Sequence, residues 1–148
     1  MMVLAAAVCL ALLSIAALHI AWGFGITFPA TDEKTLIGLA IGETGRTATP
    51  TPLQCFAAAA AIAGSGILAL LLIAIDWPPA PATVITSIGV IASVVFAVRG
   101  LAAYLPAWRR RFAMEPFADL DRRYYGPFCC LVAIALSVLT IQRFGAVA

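Results

Sequence analysis

Charge is scarce in this chain. Nine basic and seven acidic side chains are spread over 148 residues, and 64% of the chain is hydrophobic. A water-soluble domain of this length needs far more polar surface to cover its core, so the composition predicts an integral membrane protein. The net charge of +2 gives no case for a nucleic-acid partner. One histidine, His19, without clustered carboxylates makes no zinc or iron site, and neither a metal nor a cofactor is expected. No P-loop, GxSxG or HExxH motif is present. The four cysteines, Cys9, Cys55, Cys129 and Cys130, form no CxxC pair. Cys129 and Cys130 are adjacent and point to different faces of a helix, so all four read as small packing residues.

What is present is long apolar runs. The predicted fold class is an all-α membrane protein, a bundle of four transmembrane helices over about 3–26, 53–75, 83–105 and 127–141. One domain accommodates them all. The first run has no basic n-region and is too long for a signal peptide, so it reads as a retained span. In the first long loop, Thr31-Asp32 predicts the cap of a short interfacial helix ending at Gly42. Pro50-Thr51-Pro52 marks the start of the second span. Ala60 and Gly64 in that span, and Gly89, Ser93 and Ala97 in the third, predict small-residue ladders that let helices approach closely. The prolines of Asp76-Trp77-Pro78-Pro79 predict a tight turn between antiparallel neighbours.

The charges are few but clustered. Lys34 and Arg46 occupy the first long loop, and Arg109, Arg110, Arg111, Arg122 and Arg123 the second; the opposite side has Arg143 alone. The positive-inside rule then predicts both long loops in the cytoplasm and both termini outside. The expected location is the bacterial inner membrane, with the five loop arginines on anionic head groups of the cytoplasmic leaflet. A homodimer or a larger membrane complex is the expected assembly.

The same threading brings the polar side chains of several spans to one level. His19 and Trp22 share a helix face by their i,i+3 spacing. Arg99 lies within the third apolar run, where a charge is costly. It either snorkels to the head groups or faces inward, holding an anion or pairing with a loop carboxylate such as Asp121. Asp121 and Tyr125 read either as a charged approach to the fourth span or as part of a pocket mouth. His19, Trp22, Arg99, Asp121 and Tyr125 together form the candidate pocket near the cytoplasmic leaflet.

Three blocks carry a family resemblance: Leu18-His19-x-x-Trp22-Gly23-x-Gly25, Arg99 near the end of the third span, and Phe117-Ala118-x-Leu120-Asp121-x-x-x-Tyr125-x-Pro127. With these the chain resembles an uncharacterised bacterial family of small four-helix membrane proteins, a domain of unknown function. The likeness implies a four-span inner-membrane protein and no activity. Family members often carry an acidic residue just after the arginine and a serine before the proline; Ala102-Ala103-Tyr104 and Gly126 stand there in this chain. The preferred reading is non-enzymatic: a ligand- or lipid-binding bundle, or an accessory subunit of a membrane complex. An alternative is a membrane-embedded enzyme using His19 and Arg99 on an amphipathic substrate. A small dimeric exporter is the second alternative, and the first span lacks the buried glutamate that small multidrug exporters use.

Overall fold

The computed structural model describes residues 1–147. Four of its helices are long and apolar enough to cross a membrane. In chain order the helices are α1 (Met2–Gly23), α2 (Glu33–Leu36), α3 (Pro52–Ala74), α4 (Pro79–Ala102), α5 (Pro106–Arg111), α6 (Phe117–Leu120) and α7 (Gly126–Val147). Two π-helical segments, Ile37–Ile41 and Asp121–Tyr125, continue α2 and α6. Helix α1 packs mainly on α3, and α4 mainly on α7. The two pairs join through α3 and α7. Leu12, Leu72, Leu136 and Leu139 are the largest fully enclosed side chains, so the centre of the bundle belongs to α1, α3 and α7.

Local chemistry sets most helix ends. The α1 helix stops at Gly23, short of the expected 26, because Gly25 adopts a left-handed φ of 79° and turns the chain away. Asp32 caps α2, its carboxylate accepting from the Thr35 N–H at 2.8 Å, and the short helix closes at Gly42 with φ 65°. Thr51 and Gln54 form a reciprocal capping box at the head of α3, with Pro52 in the first turn. Helix α4 begins at Pro79, four residues before the expected 83. Pro79 and Pro81 lie where helix N–H groups have no partner in any case, so the prolines open this helix as readily as they end the previous one.

The fourth span differs most from expectation. Its apolar helical stretch runs from Phe117 to Phe144 rather than starting at 127. Pro127 lacks an N–H and its ring crowds the preceding turn, which ordinarily breaks a helix. Here the turn before it widens to π geometry, with the Gly126 N–H donating to the Asp121 carbonyl, and the helix passes through. Neither Asp119 nor Asp121 caps it, because the N-cap position is Pro116.

Small residues do control the helix crossings, though not all at the expected places. In α4, Ala82, Thr86, Gly89, Ser93 and Gly100 are buried, so the ladder at Gly89 and Ser93 is present. In α3, Ala60 and Gly64 face outward, and Gly66 instead meets α1: a Cβ there would stand 3.2 Å from the Cys9 carbonyl oxygen. Spacing establishes that a helix can be approached closely, whereas the rotation of the helix in the bundle chooses the face. Gly100 marks the tightest crossing, where a Cβ would lie 2.8 Å from the Gly126 carbonyl oxygen and 2.9 Å from the Cys130 nitrogen. That close approach brings the end of α4 against the π segment of the fourth span.

Candidate functional site

The crossing at Gly100 positions its neighbour. The Arg99 guanidinium meets Asp121 at 2.6 Å (Nη2 to Oδ1), and Asp121 is almost wholly enclosed, its side chain 3% exposed. The other carboxylate oxygen accepts from the indole N–H of Trp108 at 2.9 Å. The Arg99 guanidinium also lies over the Trp108 ring, 5.0 Å from its centroid. Asp121 thus ties α4, α5 and the π segment together, and Arg99 is turned to a protein carboxylate. The widened π turn has its own part in this, since Asp121 is its first residue.

Tyr125, at the other end of the π segment, points elsewhere. Its hydroxyl donates to the Leu39 carbonyl at 3.2 Å and its ring packs on Phe117. Phe117 in turn fills the space beside Gly42, which has no Cβ to obstruct it. The Thr44 N–H donates to the Arg111 carbonyl at 2.9 Å and the Met114 N–H to the Gly42 carbonyl at 3.1 Å. Glu43 completes the strap, accepting from Arg46 on one oxygen (3.0 Å) and from Arg111 on the other (3.1 and 3.0 Å). The two guanidiniums, Arg46 first and then Arg111, hold the Glu43 carboxyl below its usual range. The two long connections are therefore fastened to each other.

His19 and Trp22 belong to a different space. Their rings pack tilted at 49°, with centroids 4.8 Å apart, and line a cavity of about 370 Å³ between α1, α3 and the first connection. The His19 Nδ1 bonds the Ile15 carbonyl at 2.9 Å. A carbonyl can only accept, so this nitrogen is the donor of the bond. The Trp22 indole N–H is occupied by the Phe28 carbonyl, 2.8 Å away. Leu36, Ala40 and Ile41 contribute apolar lining from the first connection, and Cys55 and Ala58 from α3. Glu33, Arg46 and Gln54 add polar groups.

The five residues expected to share one pocket are thus divided. Arg99 and Asp121 come together; His19 and Trp22 come together; Tyr125 lines neither the cavity nor the hollow beside Asp121. Helix α1 packs on α3 and α7 while α4 packs on α7 and α3, so the histidine and the arginine lie on helices that are not principal neighbours. Among the described residues no cluster of histidine, cysteine and carboxylate side chains is arranged to hold a metal, and all four cysteines are free.

Several site residues escape a reading of the sequence. Trp108 looks like an interface tryptophan, and nothing local announces its bond to Asp121. Glu43 and Arg46 carry only the weak signal of an i,i+3 pair, and Gln54 that of a capping box. Arg143 is read only as the lone basic residue of the opposite side; it is buried, 6% exposed, within α7. It donates to the Ile75 carbonyl at 2.9 Å and the Trp77 carbonyl at 3.4 Å, in the turn just after α3.

Comparison with known proteins adds one match. A family model described as a protein of unknown function, DUF3995, matches residues 12–136. No curated protein and no solved structure matches the chain.

Proposed function

This chain belongs to the DUF3995 family of proteins of unknown function, a membership that brings no activity with it, and we propose from the site itself that it is a multi-pass bacterial inner-membrane protein that binds a small amphipathic molecule without transforming it. One observation carries this reading: the cavity of about 370 Å³ lined by His19 and Trp22. It joins an apolar wall to a few polar groups, the usual make-up of a small-molecule site. The short helix of the first connection contributes Leu36, and the π segment after it Ala40 and Ile41. Arg99, the anion-holding group of the enzyme alternative, lies outside this lining and is paired with Asp121 instead.

The proposed orientation puts the strapped connections in the cytoplasm and both termini outside. Seven of the nine basic residues sit on that side. Arg143, which counted against it, is turned inward onto backbone carbonyls, so the surface bias is sharper than the count.

Native mass spectrometry of the protein extracted in mild detergent tests the binding role. A bound small molecule or lipid is expected on the unaltered protein and is expected to be lost from His19→Ala and from Ala58→Phe, which fills part of the cavity. Identical adducts on all three proteins would overturn the reading. A stoichiometric protein partner in place of the adduct would replace it with the role of an accessory subunit.

A further inference from the structure

We propose that the hollow between α5 and the start of the fourth span is a second, separate binding site, which takes the phosphate group of an anionic ligand on Arg109 and Arg110. The hollow has a volume of about 610 Å³ and is lined by Trp108, Arg109, Arg110, Phe112, Asp121 and Arg122, among others. Its charges do not cancel. The carboxylates along it are Glu115, Asp119 and Asp121. Asp121 is already matched to Arg99 at 2.6 Å, and Asp119 to Arg122 at 3.3 Å and Arg123 at 2.8 Å. Glu115 accepts from the Asp119 backbone N–H at 3.2 Å. Counting these partners with the lining, five guanidiniums face three carboxylates, a surplus of two positive charges.

The surplus has an address. Of the five loop arginines, Arg111 is held by Glu43, and Arg122 and Arg123 by Asp119. Arg109 and Arg110 are exposed and make no ion pair or side-chain hydrogen bond among the described residues. They follow directly on Trp108, whose indole is fixed by Asp121 and by the Arg99 guanidinium over its ring. The short helix that presents them is therefore pinned before any ligand arrives, which lowers the ordering cost of binding. Two forked guanidiniums side by side suit a phosphate oxygen set, and a phosphate charge of one or two matches the surplus.

The phosphate can belong to a phospholipid head group or to a soluble ester. The surroundings favour the lipid. Ala103 and Pro106 line the hollow, and Leu101 and Leu105, close to them in the chain but outside the lining, are 60% and 56% exposed and offer apolar surface to an acyl chain. Arg99 and Trp108 then act as positioning residues, and Arg109 and Arg110 as the ligand contacts.

Native mass spectrometry of the detergent-solubilised protein, titrated with phosphatidylglycerol, phosphatidylcholine or inorganic phosphate, is the test. Phosphatidylglycerol is expected to bind in preference to phosphatidylcholine. The Arg109→Gln/Arg110→Gln double variant is expected to weaken it about 30-fold, from the surface-charge contribution of each arginine. Arg123→Gln, which removes a nearby charge but no arginine of the lining, is expected to weaken it by at most about fivefold. Neither Arg109 nor Arg110 holds the fold through its side chain, so the thermal midpoint of the double variant in detergent is expected to be unchanged. Displacement of the lipid by inorganic phosphate would assign the site to soluble phosphates; retention of the lipid assigns it to the head group. Equal binding of the two lipids, or equal binding by the double variant, overturns the proposal. The cavity at His19 is untouched by these substitutions, and its adducts report on it independently.

Discussion

Asp121 decides how the polar end of this protein is built. It is an enclosed carboxylate with both oxygens engaged, one by a guanidinium and one by an indole N–H. Removing one member of such a set strands the others: Arg99 already has one buried nitrogen without a partner, and loss of Asp121 would leave a second. Asp121→Leu and Arg99→Met are each expected to cost about 1–3 kcal/mol of stability. The apolar double replacement Arg99→Met/Asp121→Leu is expected to cost less than the sum of the singles, because it removes the desolvated charges together. Unfolding of the four proteins in detergent by increasing dodecyl sulfate measures the cycle, and strict additivity would mean that the pair is not coupled.

At the scale of elements, the crossing of α4 over the π segment and the strap between the two connections do the positioning. Gly100 contacts backbone atoms of the fourth span, which cannot move aside as a side-chain tip can. Gly100→Ala is therefore expected to destabilise the protein by about 1–3 kcal/mol. Gly64→Ala, which has nothing within 4 Å of the added Cβ, is expected to be neutral or to stabilise the helix by up to about 1 kcal/mol. Thermal unfolding of the two variants side by side separates a packing glycine from an incidental one. The strap depends on an ionised Glu43. Its carboxyl is held below the ordinary value when folded, so the strap's contribution is complete above that ordinary value and is lost as pH falls through the lower, folded one. Hydrogen exchange of the Thr44 and Met114 amides, which bond across the strap, is expected to stay slow near neutral pH and to gain protein-specific acceleration only on acidification below the usual carboxylate range. Glu43→Gln is expected to show the faster exchange at neutral pH.

At the scale of the whole molecule, the four long helices form a bundle whose polar connections are gathered at one end, and the cavity and the charged hollow both lie among those connections. The orientation is open to direct measurement. In a chain with its native cysteines replaced by alanine, Ala113→Cys in the second connection is expected to react with a membrane-impermeant thiol reagent only after the membrane is permeabilised. Labelling in intact cells would invert the topology and would place the charged hollow at the outer face.

The number of spans, the cap at Asp32, the start of the second span at the Pro50–Pro52 punctuation and the charge asymmetry could all be read from the sequence, because each depends on a run of neighbours or on a side chain meeting its own backbone. The resemblance to a family of unknown function could be read there too, and the family match bears it out. The grouping of the polar residues could not. A helix places its residues on faces, but its rotation and its choice of neighbour are settled by packing far along the chain. Only the assembled bundle put Gly66 rather than Gly64 at a crossing and chose, of the two readings open for Arg99, the pairing with Asp121 over the head groups. It also moved His19 to a cavity of its own and turned Arg143 inward. The reason is geometric: α4 and the fourth span close on each other at Gly100 and Gly126, and the partners of every charge near that crossing follow from it.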